Sequence, residues 1–282
     1  MKTLKEVLKL STEYLEGQNI SFSRRIAEEI VSSVLHISRV DLYLNYDKKV
    51  REGEWQSCLQ YLKRKISGEP LEYLMRKVEF FQCQIEVNEN SLIPRQETEI
   101  LLLKACRRIK ETLQAPQTAW DICTGTGCLG LGLKKAFPNL QVTLSDISER
   151  CIELARKNAM RNNLEVAFRT GDLLAPFAGE SADIIICNPP YVSIAEFKNL
   201  EKSVKEFEPY LALVGGETGV EFYQRLAESL PRFLNEGGMA FLEIGAGQKD
   251  LLMEIFDTKH WKTVSCEKDW SGKDRFFFLE KH

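Results

Sequence analysis

Histidine is almost absent from this sequence: His36, His260 and His282 are the only three in 282 residues. A Ser–His or Cys–His nucleophile, or a histidine-based metal cluster, has too few partners to form, and no metal is expected. Cysteine occurs eight times, at 58, 83, 106, 123, 128, 151, 187 and 266, yet no two stand in C-x-x-C spacing. That excludes a zinc ribbon and fits reduced thiols used as small core residues, as Cys187 in Ile184-Ile-Ile-Cys. Long hydrophobic runs are missing too, and none nears the roughly 20 residues needed to span a bilayer. The first ten residues interrupt their leucines with Lys and Glu, so no signal peptide or membrane association is read and a cytoplasmic location is expected. Positive charge is not in excess: the net charge is -3, which disfavours nucleic acid as a direct partner because phosphate binding needs basic surface.

What is present is the balance of an ordinary globular protein, 44% hydrophobic and 28% charged, long enough for two domains. Leu4, Val7, Leu8 and Leu15 recur at helical spacing. Ser23 is placed to cap a second helix carrying Ile26, Ile30, Val31 and Val34, and a third runs from Glu52 to Ile66. Residues 1–78 are therefore expected to form a helical domain. It holds no catalytic constellation, and a substrate-docking role is favoured over that of a structural cap. In Phe80–Val87 apolar and polar residues alternate before the turn-forming Asn88-Glu-Asn-Ser, so residues 79–94 are expected to be a β-hairpin linker.

From residue 95 to 282 strands and helices alternate, which implies an α/β domain with a parallel sheet covered on both faces. Strands are expected at Ala119–Cys123, Gln141–Asp146, Val166–Phe168, Ala182–Cys187 and Met239–Ile244. A helix is expected over Gly219–Leu234, stopped by Gly237-Gly238, and a closing hairpin around Trp270-Ser-Gly-Lys-Asp should add an antiparallel strand.

Two motifs carry chemistry. Asp121-Ile-Cys-Thr-Gly-Thr-Gly127 follows a strand and opens a helix, where small residues let a ligand approach the backbone. Asp146 ends the next strand, placed to accept both hydrogen bonds of a ribose diol. The pattern is not G-x-G-x-x-G and lacks a P-loop lysine, so dinucleotides and triphosphates fit less well than S-adenosylmethionine, which carries no phosphate. The plainer alternative is a structural turn with Asp146 capping the next helix. The second motif, Asn188-Pro-Pro-Tyr191, stands at the carboxyl end of an apolar strand, where ligands bind in parallel sheets. A planar NH2 has a delocalised, weakly nucleophilic lone pair. The Asn188 side-chain oxygen and the Pro189 carbonyl can accept both its hydrogens and aim the nitrogen at a methyl donor, while Pro190 stiffens the backbone and Tyr191 offers a flat face. Here the alternative is an ordinary Asn-Pro turn.

Asp121–Gly127, Asp146, Asp172 and Asn188–Tyr191 resemble the class-one, Rossmann-like methyltransferases that modify amide or exocyclic nitrogen. Within them the chain is similar to the release factor glutamine N5-methyltransferases, also called HemK proteins. The likeness extends over Glu69-Pro-Leu-Glu-Tyr-Leu, Leu92-Ile-Pro-Arg-Gln-Glu-Thr-Glu99, Phe207-Glu-Pro209, Gly245 with Gln248, and Gly272-Lys-Asp-Arg275. The resemblance implies a seven-stranded methyltransferase sheet behind an amino-terminal helical domain. It also implies methyl transfer from S-adenosylmethionine to the glutamine of the Gly-Gly-Gln loop in peptide chain release factors. By the same resemblance Cys123, Thr124, Gly125, Thr126 and Gly127 lie under the methionine end of the cofactor, and Asp146 holds its ribose. Asp172 and Leu173 flank the adenine, and Asn188 to Tyr191 receive the glutamine amide. The chain departs from the family at Cys123 and Arg76, where glycine is usual, and at Gln96, where proline is. Rival readings are a ribosomal-protein glutamine methyltransferase, a DNA adenine N6-methyltransferase, and a non-catalytic scaffold that binds S-adenosylmethionine. The stretch from Val192 to Thr218 is expected to shape a peptide channel with Glu208-Pro209 at its base.

Overall fold

A computed structural model describes residues 1–256 and 259–282. The chain divides into two compact units, one of residues 1–77 with 202–207 and the other of residues 78–201 with 208–282. In the first unit lie α1 (Leu4–Glu16), α2 (Ser23–Leu35), α3 (Arg39–Leu44), α4 (Glu52–Ile66) and α5 (Leu71–Met75). Thr3 and Glu6 form a reciprocal capping box that starts α1. The stripe Leu4, Val7, Leu8 and Leu15 is fully buried against Ala27, Ile30 and Val31 of α2 and Cys58 and Leu62 of α4. Ser23 is not the cap. It is the first residue of α2 and donates its hydroxyl to the Ile20 carbonyl, while Phe22 precedes it in a left-handed conformation.

Next come β1 (Lys77–Phe80) and β2 (Cys83–Glu86), paired as a two-stranded sheet. The hairpin turns at Phe81 and Gln82, both at positive φ, the shape of a tight two-residue turn. No Gly or Asn announces it, which is why the sequence pointed instead to Asn88–Ser91. That second stretch is a real turn, with the Asn88 side chain accepting from the Asn90 amide, but it leads into a loop and not into a partner strand.

The second unit continues with α6 (Gln96–Thr112), β3 (Thr118–Ile122), α7 (Cys128–Ala136), β4 (Gln141–Asp146), α8 (Glu149–Arg161), β5 (Ala167–Thr170) and β6 (Ala182–Cys187). Then follow β7 (Val192–Ser193), α9 (Ile194–Phe197), α10 (Lys202–Lys205, in the first unit), α11 (Tyr210–Leu213), β8 (Val214–Gly216) and α12 (Glu221–Phe233). The last elements are β9 (Leu234–Glu243), α13 (Lys249–Ile255), β10 (Trp261–Lys268) and β11 (Asp274–Lys281). Seven strands form one sheet in the order β10-β11-β9-β6-β3-β4-β5. The five from β9 to β5 run parallel, and β11 is antiparallel to both neighbours. The chain steps outward from β3 through β4 to β5, then returns to β6 on the other side of β3. This reversal opens a crevice at the carboxyl ends of β3 and β6. Gly237-Gly238 lie inside β9 rather than ending a helix, because the strand begins directly after α12. All eight cysteines are free thiols, six of them buried. Among the described residues no helix is long and apolar enough to cross a membrane.

Candidate functional site

The crevice is built on three adjacent strand ends, those of β6, β3 and β4. At the end of β3, Asp121 is fully buried. Its Oδ2 accepts from the Thr124 hydroxyl and from the Gly130 amide at 2.7 Å, which folds the turn back over the strand. Burial pushes its carboxyl up to about 7, although these two donors hold it down. The other oxygen, Oδ1, has no partner among the described residues. Cys123, Gly125 and Gly127 all adopt positive φ, at 57°, 54° and 87°. The backbone therefore demands glycine-like freedom at residue 123, and the cysteine there bears a side chain in a region that β-carbons disfavour.

Asp146 closes β4. One carboxylate oxygen accepts from the Gly125 amide at 2.9 Å and the other from the Ser148 amide at 2.9 Å. Burial raises this carboxyl, and the amides oppose the rise. Ser148, not Asp146, caps α8, by accepting from the Cys151 amide.

A cavity of about 500 Å³ lies against these ends, within the size range of small-molecule sites. Cys123, Thr124, Gly125, Thr126, Asp146, Asp172, Leu173, Asn188 and Pro190 all line it. Asp121 and Gly127 sit beneath the turn and build it; Pro189 and Tyr191 also lie off the cavity wall. The acceptor oxygens of the Asp146 carboxylate, the positive-φ turn of residues 123 to 125 and the apolar walls suit an amino-acid–ribose–base ligand without phosphates.

The tetrapeptide after β6 is held from behind by close backbone approach. A β-carbon at Gly215 would overlap the Pro190 carbonyl, and one at Gly219 would overlap the Tyr191 carbonyl, so both positions require glycine. Gln248 completes the clamp: its Oε1 accepts from the Gly245 amide, and its Nε2 donates to the carbonyls of Tyr191 and Gly219. Along β9, parallel pairing of Leu242 with Cys187 brings Glu243 beside Asn188. The Asn188 Nδ2 donates to the Thr98 hydroxyl at 3.2 Å, and that hydroxyl donates to Glu243 at 2.6 Å. The Tyr191 hydroxyl reaches the other Glu243 oxygen at 3.4 Å. Burial and the adjacent Glu243 carboxylate raise the Tyr191 phenol.

Several features here escaped sequence reasoning, although Glu208 and Pro209 were named from the sequence as the base of the Val192–Thr218 stretch. Arg225 pairs with Asp172, and both line the cavity beside Phe222. Glu208 is buried, accepts from the Ile93 amide at 3.1 Å and pairs with Arg95. Pro209, Leu211 and Ala212 reach the wall from the Val192–Thr218 stretch. Glu243 left a local trace: it is the one acid in the otherwise apolar Met239-Ala-Phe-Leu-Glu-Ile. Thr98 was legible only as part of the Leu92–Glu99 stretch, with no role attached, since a threonine in a first helical turn is unremarked chemistry.

A solved methyltransferase from Pyrococcus furiosus is similar in fold, with a TM-score of 0.53 and 21% identity over 79% of this chain and 98% of that one. The Methyltransferase small domain model matches residues 101–211. Sheet order and cavity thus define the class as a methyltransferase with a seven-stranded α/β core. The PrmC N-terminal domain model matches residues 6–75. The release factor glutamine methyltransferase of Chlamydia trachomatis serovar D is 38% identical over 277 residues, 98% of this chain and 94% of that protein. Its counterpart in Geobacter sulfurreducens is 34% identical over 275 residues, 97% and 95% of the two chains. The chain belongs to the release factor glutamine methyltransferase family.

Proposed function

We propose that the second unit transfers a methyl group from S-adenosylmethionine to the side-chain amide nitrogen of the glutamine in the Gly-Gly-Gln loop of peptide chain release factors. The observation that carries this reading is that one cavity joins Asn188 and Pro190 to the glycine turn and Asp146. A methyl donor and an amide acceptor can therefore meet there. S-adenosylmethionine supplies a methyl on a sulfonium, and its departure leaves a neutral thioether that needs no general acid. Cys123 to Gly127 lie under its amino-acid end, with Asp121 as the buried base of the turn. Asp146 accepts from the ribose hydroxyls, and Asp172 and Leu173 border the base. Asn188 Oδ1 and the Pro189 carbonyl accept the two amide hydrogens, which points the nitrogen lone pair at the methyl carbon. Pro190 and Tyr191 keep that frame rigid. The spent proton leaves to water after transfer.

Residues 1–78 serve in this reading as the docking domain, with residues 79–94 as the linker to it. Exposed Phe22, Val40 and Leu44 supply apolar contact surface for a protein substrate. With a translation factor as substrate, the reaction belongs in the cytoplasm. The test is incubation with labelled S-adenosylmethionine and a release factor, its loop Gln→Ala variant, a ribosomal protein, or duplex DNA. Label enters the first alone. Asn188→Ala abolishes turnover while keeping most cofactor affinity, and labelled DNA or an active Asn188→Ala would defeat the assignment.

A further inference from the structure

We propose that Thr98 and Glu243 are a positioning pair that fixes which end of the Asn188 amide is free to meet the substrate. The inference rests on the function proposed above and deepens it. A side-chain amide is nearly symmetric in shape, so packing alone does not choose between Oδ1 and Nδ2. A hydrogen-bond partner that can only accept, or only donate, does choose. A threonine hydroxyl has one hydrogen to give. Thr98 gives it to Glu243 at 2.6 Å and is left with lone pairs, so toward Asn188 it accepts. Nδ2 is therefore the end that Thr98 engages, at 3.2 Å, and Oδ1 is the end left for an incoming N–H donor. Turned the other way, the amide would present its own NH2 to a substrate NH2, donor against donor.

Glu243 anchors both ends of the tetrapeptide, Asn188 through Thr98 and Tyr191 directly. It comes from β9 and Thr98 from the first turn of α6, so two elements remote in sequence converge on one side chain. Both residues are nearly fully buried, at 1% and 3% exposure, which keeps water from substituting for either.

The direction of the chain depends on the charge of Glu243. As a carboxylate it only accepts. Once protonated it can donate to the Thr98 oxygen, and Thr98 then donates onward and draws Oδ1 toward itself, which turns the free end of Asn188 into a donor. The surroundings put this change near neutrality: burial pushes the Glu243 carboxyl up to about 7, Glu97 on α6 adds to the rise, and Arg275 on β11 together with the Thr98 and Tyr191 hydroxyls opposes it. Cys128 on α7 and Tyr223 on α12 also face it; Tyr223 donates to the Glu243 backbone carbonyl, and both stay neutral because burial raises them.

The test is steady-state methylation of a release factor between pH 5.5 and 9 by the full-length protein and three variants. Calorimetric affinity for S-adenosylmethionine serves as the measure of folding and cofactor binding. Wild-type kcat rises with pH through about 7 and then levels. Thr98→Val lowers kcat by about 10- to 100-fold, the cost of a misaimed acceptor, while KM for the release factor and cofactor affinity stay within about threefold. Thr98→Ser, which keeps the hydroxyl, stays within about threefold of wild type. Glu243→Gln, unable to ionise, loses the acid limb. A Thr98→Val enzyme with wild-type kcat, a Thr98→Ser as impaired as Thr98→Val, or a Glu243→Gln that keeps the acid limb overturns the pair and leaves the proposed function standing. A wild-type protein that binds S-adenosylmethionine but methylates no release factor overturns the function, and the pair with it.

Discussion

Replacing Asn158 tests how the glycine turn is supported. Asn158 on α8 and Asn162 at its C-cap lie four residues apart, a rise of about 6 Å, and their amides clasp Glu86 and Gln84, two residues apart on the β2 edge and about 6.6 Å from each other. The spacings match, so the helix completes the strand edge with side chains. Asn158 accepts from the Glu86 amide at 2.7 Å and donates to the carbonyls of Glu86 at 3.0 Å and Thr126 at 2.9 Å. Asn162 accepts from the Gln84 amide at 2.9 Å and donates to the carbonyls of Gln84 at 2.8 Å and Asn158 at 2.8 Å. Each side chain makes three bonds, and they differ chiefly in burial: Asn158 is fully buried, whereas Asn162 is half-exposed beside an exposed Gln84. At about 1 kcal/mol per bond left unreplaced, Asn158→Ala costs about 3 kcal/mol, while water repairs Asn162→Ala to below about 1 kcal/mol. With a urea slope of about 2 kcal/mol/M, the midpoint for unfolding of the second unit falls by about 1.5 M in the first variant and by less than about 0.5 M in the second. Asn158→Asp, equal in volume but unable to donate to two carbonyls, is at least as destabilised as Asn158→Ala at pH 7. Circular dichroism across a urea series reads all three. Equal shifts for Asn158→Ala and Asn162→Ala would refute the burial argument, and a stable Asn158→Asp would show that packing, not hydrogen bonding, holds the turn.

Two other outcomes follow from the same physics. The Asp121 carboxyl is raised from the ordinary 3.8 to about 7, so between those values the folded protein keeps a proton that the unfolded chain has released. Its contribution to stability is complete below about pH 4 and is lost as pH rises through about 7. Asp121→Asn should flatten the fall of Tm between pH 5 and 8, with a residual slope of the same sign from Glu243; a Tm curve parallel to wild type would contradict this. Arg76 ends α5 at φ 55°, exposed and in the left-handed region. Arg76→Gly should raise stability by about 0.5–1 kcal/mol, the relieved strain less the entropy that glycine adds to the unfolded chain, and a lowered urea midpoint would count against it.

Much of the architecture was legible locally. The bounds read for α4, β4 and β6 coincide with the structure, because each is a strong run of one hydrophobic period with clear stops. Where local signals failed, the backbone adopted a conformation without its usual residue. Phe81 and Gln82 turn a chain with no glycine, and Phe22 leads into α2 at positive φ with no side-chain cap. The positions at which the family resemblance expects glycine, 76 and 123, prove to be left-handed, so that expectation has a physical basis even though this chain carries Arg and Cys there.

By itself the sequence determined where strands and helices fall, that a small-residue turn follows the first parallel strand, and that a stiff amide-bearing tetrapeptide ends another. These are local matters of dihedral preference and hydrophobic period. Only the tertiary structure decided that β11 inserts between β9 and β10, that Arg225 meets Asp172, and that Glu243 reaches Asn188 through Thr98. Those partners lie 53, 90 and 145 positions apart, and no spacing rule along a chain reports on side chains that only sheet register brings together.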